Sequence, residues 1–252
     1  MGSLKPRRAN SAWLRPKLAP VTAGIDLAPR EAREHPVRGR TSLADGLHTP
    51  APPLPRYRAG VGFEWAYRNG VPPWDIGWAQ PAIVRLAEEG LIAGDVIDVG
   101  CGTGENVLYL ASRGLAVIGV DAAPTAIAQA QEKARLRGSS ATFLVADALA
   151  LEGLGRTFDM AIDCGLFHTF SDADRVRFER SPHRTLRAGS RYVLLCFNEH
   201  QPGELGPRRV TQAEIRATFA TGWAVDSIVA DRFDAKLPGN GAHAWLVVLT
   251  RT

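Results

Sequence analysis

Short apolar runs alternate with helical patterns along most of the chain. The apolar runs predict strands at 95–99, 116–120, 142–145, 158–163, 190–197, 223–231 and 242–251. Helices are predicted between them at about 105–113, at 124–137, from 172 onward and at 212–219. This alternation is typical of an α/β fold with a doubly wound, mostly parallel sheet.

Proline and composition mark the ends of the predicted elements. Residues 1–56 are rich in Pro, Arg and Ala without a persistent period, so we expect a disordered or loosely attached extension. The folded domain is expected at 57–252. It opens with a short helix at 63–68, a rigid turn at 71–77 and a helix from Pro81 to about residue 89. Pro182 interrupts a later helical pattern, where we expect a kink or two helices meeting.

The net charge of +4 is unevenly divided. Residues 1–60 carry 11 Lys and Arg against 4 Asp and Glu, whereas residues 61–252 carry 19 against 22. The folded part therefore lacks the basic surface expected of a nucleic-acid enzyme. No apolar run is long enough to span a membrane. Cys101, Cys164 and Cys196 lack zinc or disulfide spacing, which favours reduced thiols in a cytoplasmic protein.

A glycine-rich turn follows the first predicted strand. It reads Asp98-x-Gly100-x-Gly102-x-Gly104, and the next strand ends at Asp121. Glycines let the backbone approach a ligand closely, and a strand-terminal acid can accept hydrogen bonds from ribose hydroxyls. Dinucleotide-binding loops instead read G-x-G-x-x-G and hold a pyrophosphate. A carboxylate at Asp98 opposes a pyrophosphate and suits a cationic ligand. A tight strand-to-helix turn without a ligand is the alternative.

The turn resembles the motif of the Rossmann-like class I S-adenosylmethionine-dependent methyltransferases, whose cofactor carries an amino group and a sulfonium. The resemblance implies a seven-stranded, mostly parallel sheet with a C-terminal antiparallel hairpin. It implies that the glycines border the cofactor and that Asp121 holds its ribose. For Asp121, a cap of the helix that begins near Pro124 is the alternative. It also places other residues in the cofactor site, namely Cys101, Thr103, Ala122 and Asp163.

The third predicted strand is followed by Asp147 and Ala148. In the class that the motif resembles, an acid at this place commonly accepts a hydrogen bond from the adenine amino group. The next backbone N–H then meets a ring nitrogen. The resemblance therefore implies that Asp147 and the Ala148 backbone recognise adenine.

The loop after the fourth predicted strand is where methyl transfer occurs in this class. It lacks the N/D-P-P-Y/F motif of enzymes that methylate nucleobase amines, and the Pro-Cys nucleophile of cytosine C5 methylation is absent. A nucleic-acid acceptor is therefore disfavoured. The loop offers His168, which can assist deprotonation of a hydroxyl acceptor near neutral pH. The alternative is a histidine that shapes the loop. His200 is a second catalytic candidate, and no metal is implied.

The segment Trp74-Asp75-Ile76-Gly77 is similar to the N-terminal lid of thiopurine S-methyltransferase-like small-molecule enzymes. In that group the tryptophan packs near the methionine end of the cofactor, which implies the same for Trp74. Phe63, Trp65 and Tyr67 are expected as further aromatic cover, with simple core packing as the alternative. The motifs together most resemble bacterial enzymes that methylate heterocyclic or phenolic toxins, such as hydroxyquinolones, as a detoxification reaction.

The sequence therefore predicts methyl transfer from S-adenosylmethionine to O, N or S of a small, planar acceptor. Two alternatives stay open. One is an RNA or protein methyltransferase tethered by the basic extension. The other is a non-catalytic, cofactor-binding regulatory protein, since an intact binding loop does not prove turnover.

Overall fold

The structure is a computed structural model that describes residues 61–203, 206–237 and 241–252. The predicted extension at 1–56 lies outside the described residues. The helices are α1 (Val61–Asn69), α2 (Pro81–Glu88), α3 (Glu105–Ser112), α4 (Pro124–Arg137), α5 (Asp172–Thr185) and α6 (Gln212–Thr218). The strands are β1 (Asp95–Val99), β2 (Ala116–Asp121), β3 (Thr142–Val145), β4 (Phe158–Cys164), β5 (Leu186–Phe197), β6 (Trp223–Phe233) and β7 (Ala242–Arg251).

The seven strands form one sheet in the order β3-β2-β1-β4-β5-β7-β6. β1 to β5 pair in parallel, whereas β7 is antiparallel to both of its neighbours, β5 and β6. The predicted doubly wound sheet with a C-terminal antiparallel hairpin is confirmed. No helix in the described part of the chain is long and apolar enough to cross a membrane.

The order of the strands reverses at β1, which pairs with β2 on one side and β4 on the other. Asp98 is in register with Gly119 of β2 and with Ile162 of β4. Such a reversal opens a crevice at the carboxyl ends of the strands, where ligands of α/β proteins bind. The glycine turn and the acids that end β2 and β4 therefore converge on one edge of the sheet.

Local sequence accounts for several helix starts. Thr211 caps α6 in a capping box, in which its hydroxyl accepts from Glu214 N–H and Glu214 accepts from Thr211 N–H. Ser171 caps α5 by accepting from Asp174 N–H. Pro81 and Pro124 lie in the first turns of α2 and α4, where no N–H donor is needed.

Four elements differ from the sequence-based expectation. β5 begins at Leu186, four residues before the predicted start at Ser190, and its register with β4 shifts after Phe158. α5 is one helix that continues past Pro182 to Thr185, so the expected junction of two helices is wrong. Short 3₁₀ helices at Ala148–Leu154 and Phe167–Thr169 were not predicted.

Candidate active site

The glycine turn between β1 and α3 combines left-handed backbone with close packing. Gly100, Gly102 and Gly104 have φ angles of +77°, +53° and +86°. A Cβ atom on Gly104 would lie 2.5 Å from the Phe143 ring, and one on Gly102 would lie 2.6 Å from the Tyr67 hydroxyl. Glycine is needed at both positions for conformation and for space. Side chains of the protein itself therefore pack directly against the backbone of the turn, which only glycine permits.

The Asp121 carboxylate joins the end of β2 to this turn. Its Oδ2 accepts a hydrogen bond from Gly102 N–H at 2.9 Å, and its Oδ1 accepts one from Ala123 N–H at 2.8 Å. Burial raises the pKa of Asp121, and these backbone hydrogen bonds oppose the rise. An ionised carboxylate has about four lone-pair sites, so both oxygens can still accept a ribose hydroxyl. The neighbouring Ala122 is exposed.

Asp98 carries a carboxyl group one residue before the end of the buried strand β1. Its residue is 1% exposed, and neither carboxylate oxygen has a hydrogen-bond partner. Burial raises the pKa of Asp98 well above its usual value, and the nearby Asp163 and Asp121 carboxylates raise it further. A buried polar group without a partner costs free energy, so native proteins rarely retain one without a reason. The unpaired carboxyl fits the cationic ligand that the sequence predicts.

The two side chains between the glycines are held by the protein. The Thr103 hydroxyl accepts a hydrogen bond from Lys133 Nζ at 2.7 Å, and Lys133 also pairs with Glu105 at 2.9 Å. Cys101 Sγ packs so closely on Gly119 that a Cβ there would lie 2.7 Å away. Burial raises the pKa of Cys101 well above its usual value, which keeps the group a thiol. Because the Thr103 and Cys101 side chains contact the protein, the backbone of the turn is the part that could contact a ligand.

Asp147 and Ala148 lie just beyond the end of β3, next to the end of β2. Ala146 N–H donates to the Asp121 carbonyl at 3.0 Å, which links the two strand ends. Asp147 is exposed, and its Oδ1 caps the following 3₁₀ helix by accepting from Leu149 N–H at 2.9 Å. The structure thus places both predicted adenine-binding residues on the same edge as Asp121.

An aromatic cluster from α1 and the following turn covers the glycine turn. Trp74 Nε1 donates to the Tyr67 hydroxyl at 2.8 Å, and Phe63 meets the Trp74 ring edge-on at 5.5 Å between centroids. Tyr67 is 6% exposed and packs on the start of α4. Trp65, expected as further cover, is 51% exposed and lies outside this cluster.

Hydrogen bonds fasten the covering segment at points that the sequence does not reveal. The Glu64 carboxylate accepts from the Thr125 hydroxyl at 2.6 Å and from Thr125 N–H at 3.0 Å, which joins α1 to α4. The Gln80 amide donates to the Asp234 carbonyl and accepts from Asp234 N–H, both at 2.9 Å. The second link reaches the segment that follows β6, on the other side of the crevice.

Asp163 organises the loop that follows β4. Its Oδ1 accepts from Leu166 N–H at 2.7 Å, and its Oδ2 accepts from Phe167 N–H at 3.0 Å and from the Tyr192 hydroxyl at 3.2 Å. Burial raises the pKa of Asp163 to about 7, against the effect of these donors. In this geometry the predicted cofactor residue supports the loop that carries His168.

His168 is enclosed between two aromatic rings and is 4% exposed. Its Nδ1 accepts a hydrogen bond from Phe197 N–H at 2.9 Å, and its ring lies 4.7 Å from the Phe197 ring and 6.1 Å from the Phe233 ring. Burial, together with the positive charges of Arg175 and Arg209, lowers the pKa of His168 to about 3. Of the two predicted roles, this geometry favours loop positioning over proton acceptance.

His200, the second candidate, is exposed. Its ring meets the Trp245 ring edge-on at 5.8 Å, and its backbone N–H donates to Asn198 Oδ1. Trp245 Nε1 in turn donates to the Glu199 carboxylate at 2.7 Å. These contacts keep His200 on the loop after β5 and free to meet solvent.

A separate groove of about 920 Å³ lies between α2, α3 and the turn after α4, with Trp78 among its lining residues. None of the predicted cofactor residues lines it. Within the described ranges, no cluster of three or more His, Cys, Asp or Glu side chains could hold a metal ion. The convergence of strand ends, rather than the size of a cavity, locates the candidate site.

Comparison with known proteins agrees with this geometry. A family model described as a methyltransferase domain matches residues 96–189. The chain is 38% identical over 187 residues to 2-heptyl-1-hydroxyquinolin-4(1H)-one methyltransferase of Mycobacteroides abscessus, covering 70% of this chain and 82% of the relative. It is 28% identical over 172 residues to the Arabidopsis thaliana protein named Probable thiol methyltransferase 2, covering 67% and 76%.

Solved structures show the same fold. One, from work on the conversion of a disulfide bond into a thioacetal group during echinomycin biosynthesis, has a TM-score of 0.70 and 37% identity, covering 75% of this chain and 91% of that one. Magnesium protoporphyrin IX methyltransferase of Synechocystis, solved with bound S-adenosylmethionine, has a TM-score of 0.53 and 20% identity, covering 68% and 76%. The second likeness concerns the fold alone.

Proposed function

Because the chain belongs to the class I S-adenosylmethionine-dependent methyltransferases, we propose that it methylates O, N or S of a small, planar heterocyclic or phenolic acceptor. The observation that carries this proposal is the similarity to a hydroxyquinolone methyltransferase over 82% of that relative. The rings of His168, Phe197 and Phe233 support it, because they are buried against one another at the carboxyl ends of β4, β5 and β6 and make that part of the sheet edge aromatic. Aromatic surroundings favour flat apolar ligands.

In this proposal the ends of β1, β2 and β3 would hold the cofactor. Asp121 would accept hydrogen bonds from the ribose hydroxyls, and Asp147 with the Ala148 N–H would recognise adenine. The backbone of the glycine turn and Trp74 would enclose the methionine end. When bound, S-adenosylmethionine supplies a methyl group already activated by its sulfonium. The unpaired Asp98 carboxyl beneath the turn supports a ligand with positive charge at this end.

The main task of the protein is then to align the acceptor atom with the methyl group and to exclude water. Alignment at about 3–3.5 Å accounts for much of the rate in such displacements. The covering segment excludes water because Glu64 fastens it to α4 and Gln80 fastens it to the far side of the crevice. His168 holds the loops after β4 and β5 together through Phe197 N–H. His200, exposed on the loop after β5, is the group proposed to take the proton of a hydroxyl acceptor.

Two measurements on the full chain test this function. Calorimetry with S-adenosylmethionine measures cofactor binding, and transfer of a radiolabelled methyl group is then followed with hydroxyquinolones, phenols, thiols and total RNA. We expect turnover on a planar heterocycle or phenol, and cofactor affinity weakened by more than about tenfold in Asp121→Ala. Turnover on RNA alone would overturn the small-molecule proposal. Binding without turnover on any acceptor would instead support the non-catalytic alternative.

A further inference from the structure

The position of Asp98 carries a consequence for how the cofactor binds. We propose that Asp98 holds a proton in the cofactor-free protein and releases it to solvent when the cationic end of the cofactor arrives. This inference rests on the proposed cofactor site. In it, Asp98 loses its proton when the ligand binds, and the resulting carboxylate carries the negative charge that balances the positive charge of the ligand.

The surroundings of Asp98 offer little compensation for a negative charge. In the described part of the chain, its two oxygens are the only buried carboxylate oxygens without a hydrogen-bond partner. Besides burial itself, the carboxylates of Asp163 at the end of β4 and Asp121 at the end of β2 disfavour its ionisation. The Asn106 amide on α3 is the one group that favours it, and among the described residues no positive side chain contributes.

The thiols near Asp98 do not supply charge either. Cys101 in the glycine turn and Cys164 at the end of β4 are both partly buried, and desolvation together with the Asp98 carboxyl raises the pKa of each thiol, which keeps both neutral. Lys133, a cation close to the turn, is already engaged by Thr103 and Glu105. An ionised carboxylate placed here alone would be desolvated and repelled, so the neutral acid is the stable form.

Arrival of the ligand reverses this balance. The amino group and the sulfonium place positive charge beside the turn, which favours the carboxylate over the acid. The Asp98 O–H bond then breaks, the electron pair stays on the carboxylate and the proton passes to the buffer. No bond of the ligand changes. Binding therefore releases one proton, and cofactor affinity rises with pH by up to about tenfold per unit.

Calorimetry in buffers of different ionisation enthalpy counts the protons released. The titrations use the full-length protein with S-adenosylmethionine between pH 5.5 and 7, where an α-amino group of pKa about 7.7–8.0 stays protonated. We expect release of about one proton by the wild type and none by Asp98→Asn. The affinities of the two proteins should converge toward low pH, because both then present a neutral side chain.

Asp95→Asn is the matched control. It makes the same chemical change at the opposite end of β1, where the Asp95 side chain is 36% exposed and lies 3.6 Å from Arg156. It should release as many protons as the wild type. Binding by the wild type without proton release would overturn the inference and leave the proposed function standing. Unchanged release by Asp98→Asn would assign the proton to Asp163 and overturn it as well.

Stability measurements test the free protein without any cofactor. The pKa of Asp98 is raised in the folded state, so the stability from its neutral form is present below the unfolded pKa and lost as pH rises through the folded pKa. The melting temperature of the wild type should therefore fall relative to Asp98→Asn as pH rises from 5 toward 9. Parallel curves would overturn the inference, even if no cofactor bound.

A measurement on the wild type alone tests the inference even if the Asp98→Asn variant does not fold. Infrared difference spectra on cofactor addition should show loss of a protonated carboxyl C=O stretch and gain of a carboxylate band. Absence of both changes in a protein that binds the cofactor would overturn the inference. Absence of binding would overturn the proposed cofactor site, which the calorimetry reports separately.

Discussion

Replacing Gly104 by alanine should destabilise the protein through two separable effects. Gly104 has a φ of +86°, and left-handed backbone costs a non-glycine residue about 1–2 kcal/mol. The new Cβ would also lie 2.5 Å from the Phe143 ring and 3.0 Å from Ala130 Cβ. Forcing a methyl group into a packed interior typically costs a further ~1–3 kcal/mol. We expect the free energy of unfolding to fall by about 2–5 kcal/mol in total.

Gly114→Ala separates the two effects. Gly114 has a similar φ of +83°, but a Cβ there would meet nothing within 4 Å. This variant should therefore lose only the backbone contribution of about 1–2 kcal/mol. Urea unfolding without cofactor measures both variants against the wild type. In a double-mutant cycle, Phe143→Leu should recover part of the loss in Gly104→Ala but none in Gly114→Ala. Equal losses in the two glycine variants, or no coupling to Phe143, would refute the packing argument.

Three further changes test the site. Asp121→Ala should weaken cofactor affinity more than tenfold by calorimetry, because hydrogen bonds to a charged group contribute about 1.5–3 kcal/mol; unchanged affinity would remove Asp121 from the site. His168→Gln should lower turnover without changing the shape of the pH–rate profile, because a pKa of about 3 keeps His168 neutral above pH 5. Since that folded pKa lies below the unfolded value, the stability that the neutral ring contributes is present above about pH 6.5 and is lost as pH falls toward 3. Acid unfolding should show this loss of stability in the wild type and not in His168→Gln. Trp74→Phe should weaken cofactor binding several-fold with little loss of stability, because it removes the donor to Tyr67 and keeps the ring; an unchanged dissociation rate in stopped-flow measurements would contradict a covering role.

The sequence predicts the parallel strands well because their apolar runs are short and bounded. β1 and β2 are buried on both faces and begin at the predicted residues, Asp95 and Ala116. The early start of β5 has no such signal, since Arg187, Ala188 and Gly189 carry no alternation and Gly189 has a φ of +78°. Pairing of Leu186 with Phe158 decides that start, and pairing is a long-range property.

The difference between local patterns and long-range contacts also explains which parts of the site the motifs predict. The glycine turn is a local pattern, so its class could be recognised from the sequence. The bond from Phe197 N–H to His168 Nδ1 joins residues 29 positions apart, and the pair of bonds between Gln80 and Asp234 spans 154. Nothing in the composition of either segment indicates its partner. Residue type and position in the loop after β4 therefore left a catalytic and a loop-shaping role open for His168, and the contact with Phe197 N–H favours the second.

Because the glycine turn is needed for packing, the presence of its motif in a relative does not by itself indicate methyltransferase activity. Leu166, Tyr67 and Phe143 occupy the space that side chains at Gly100, Gly102 and Gly104 would take. A descendant of this chain that no longer transferred methyl groups would still need all three glycines in order to fold. Asp98 has no such structural requirement, because its burial without a partner works against folding. Among relatives that keep the glycines, replacement of this acid by an apolar residue would be the earlier sign that the ancestral chemistry had been abandoned.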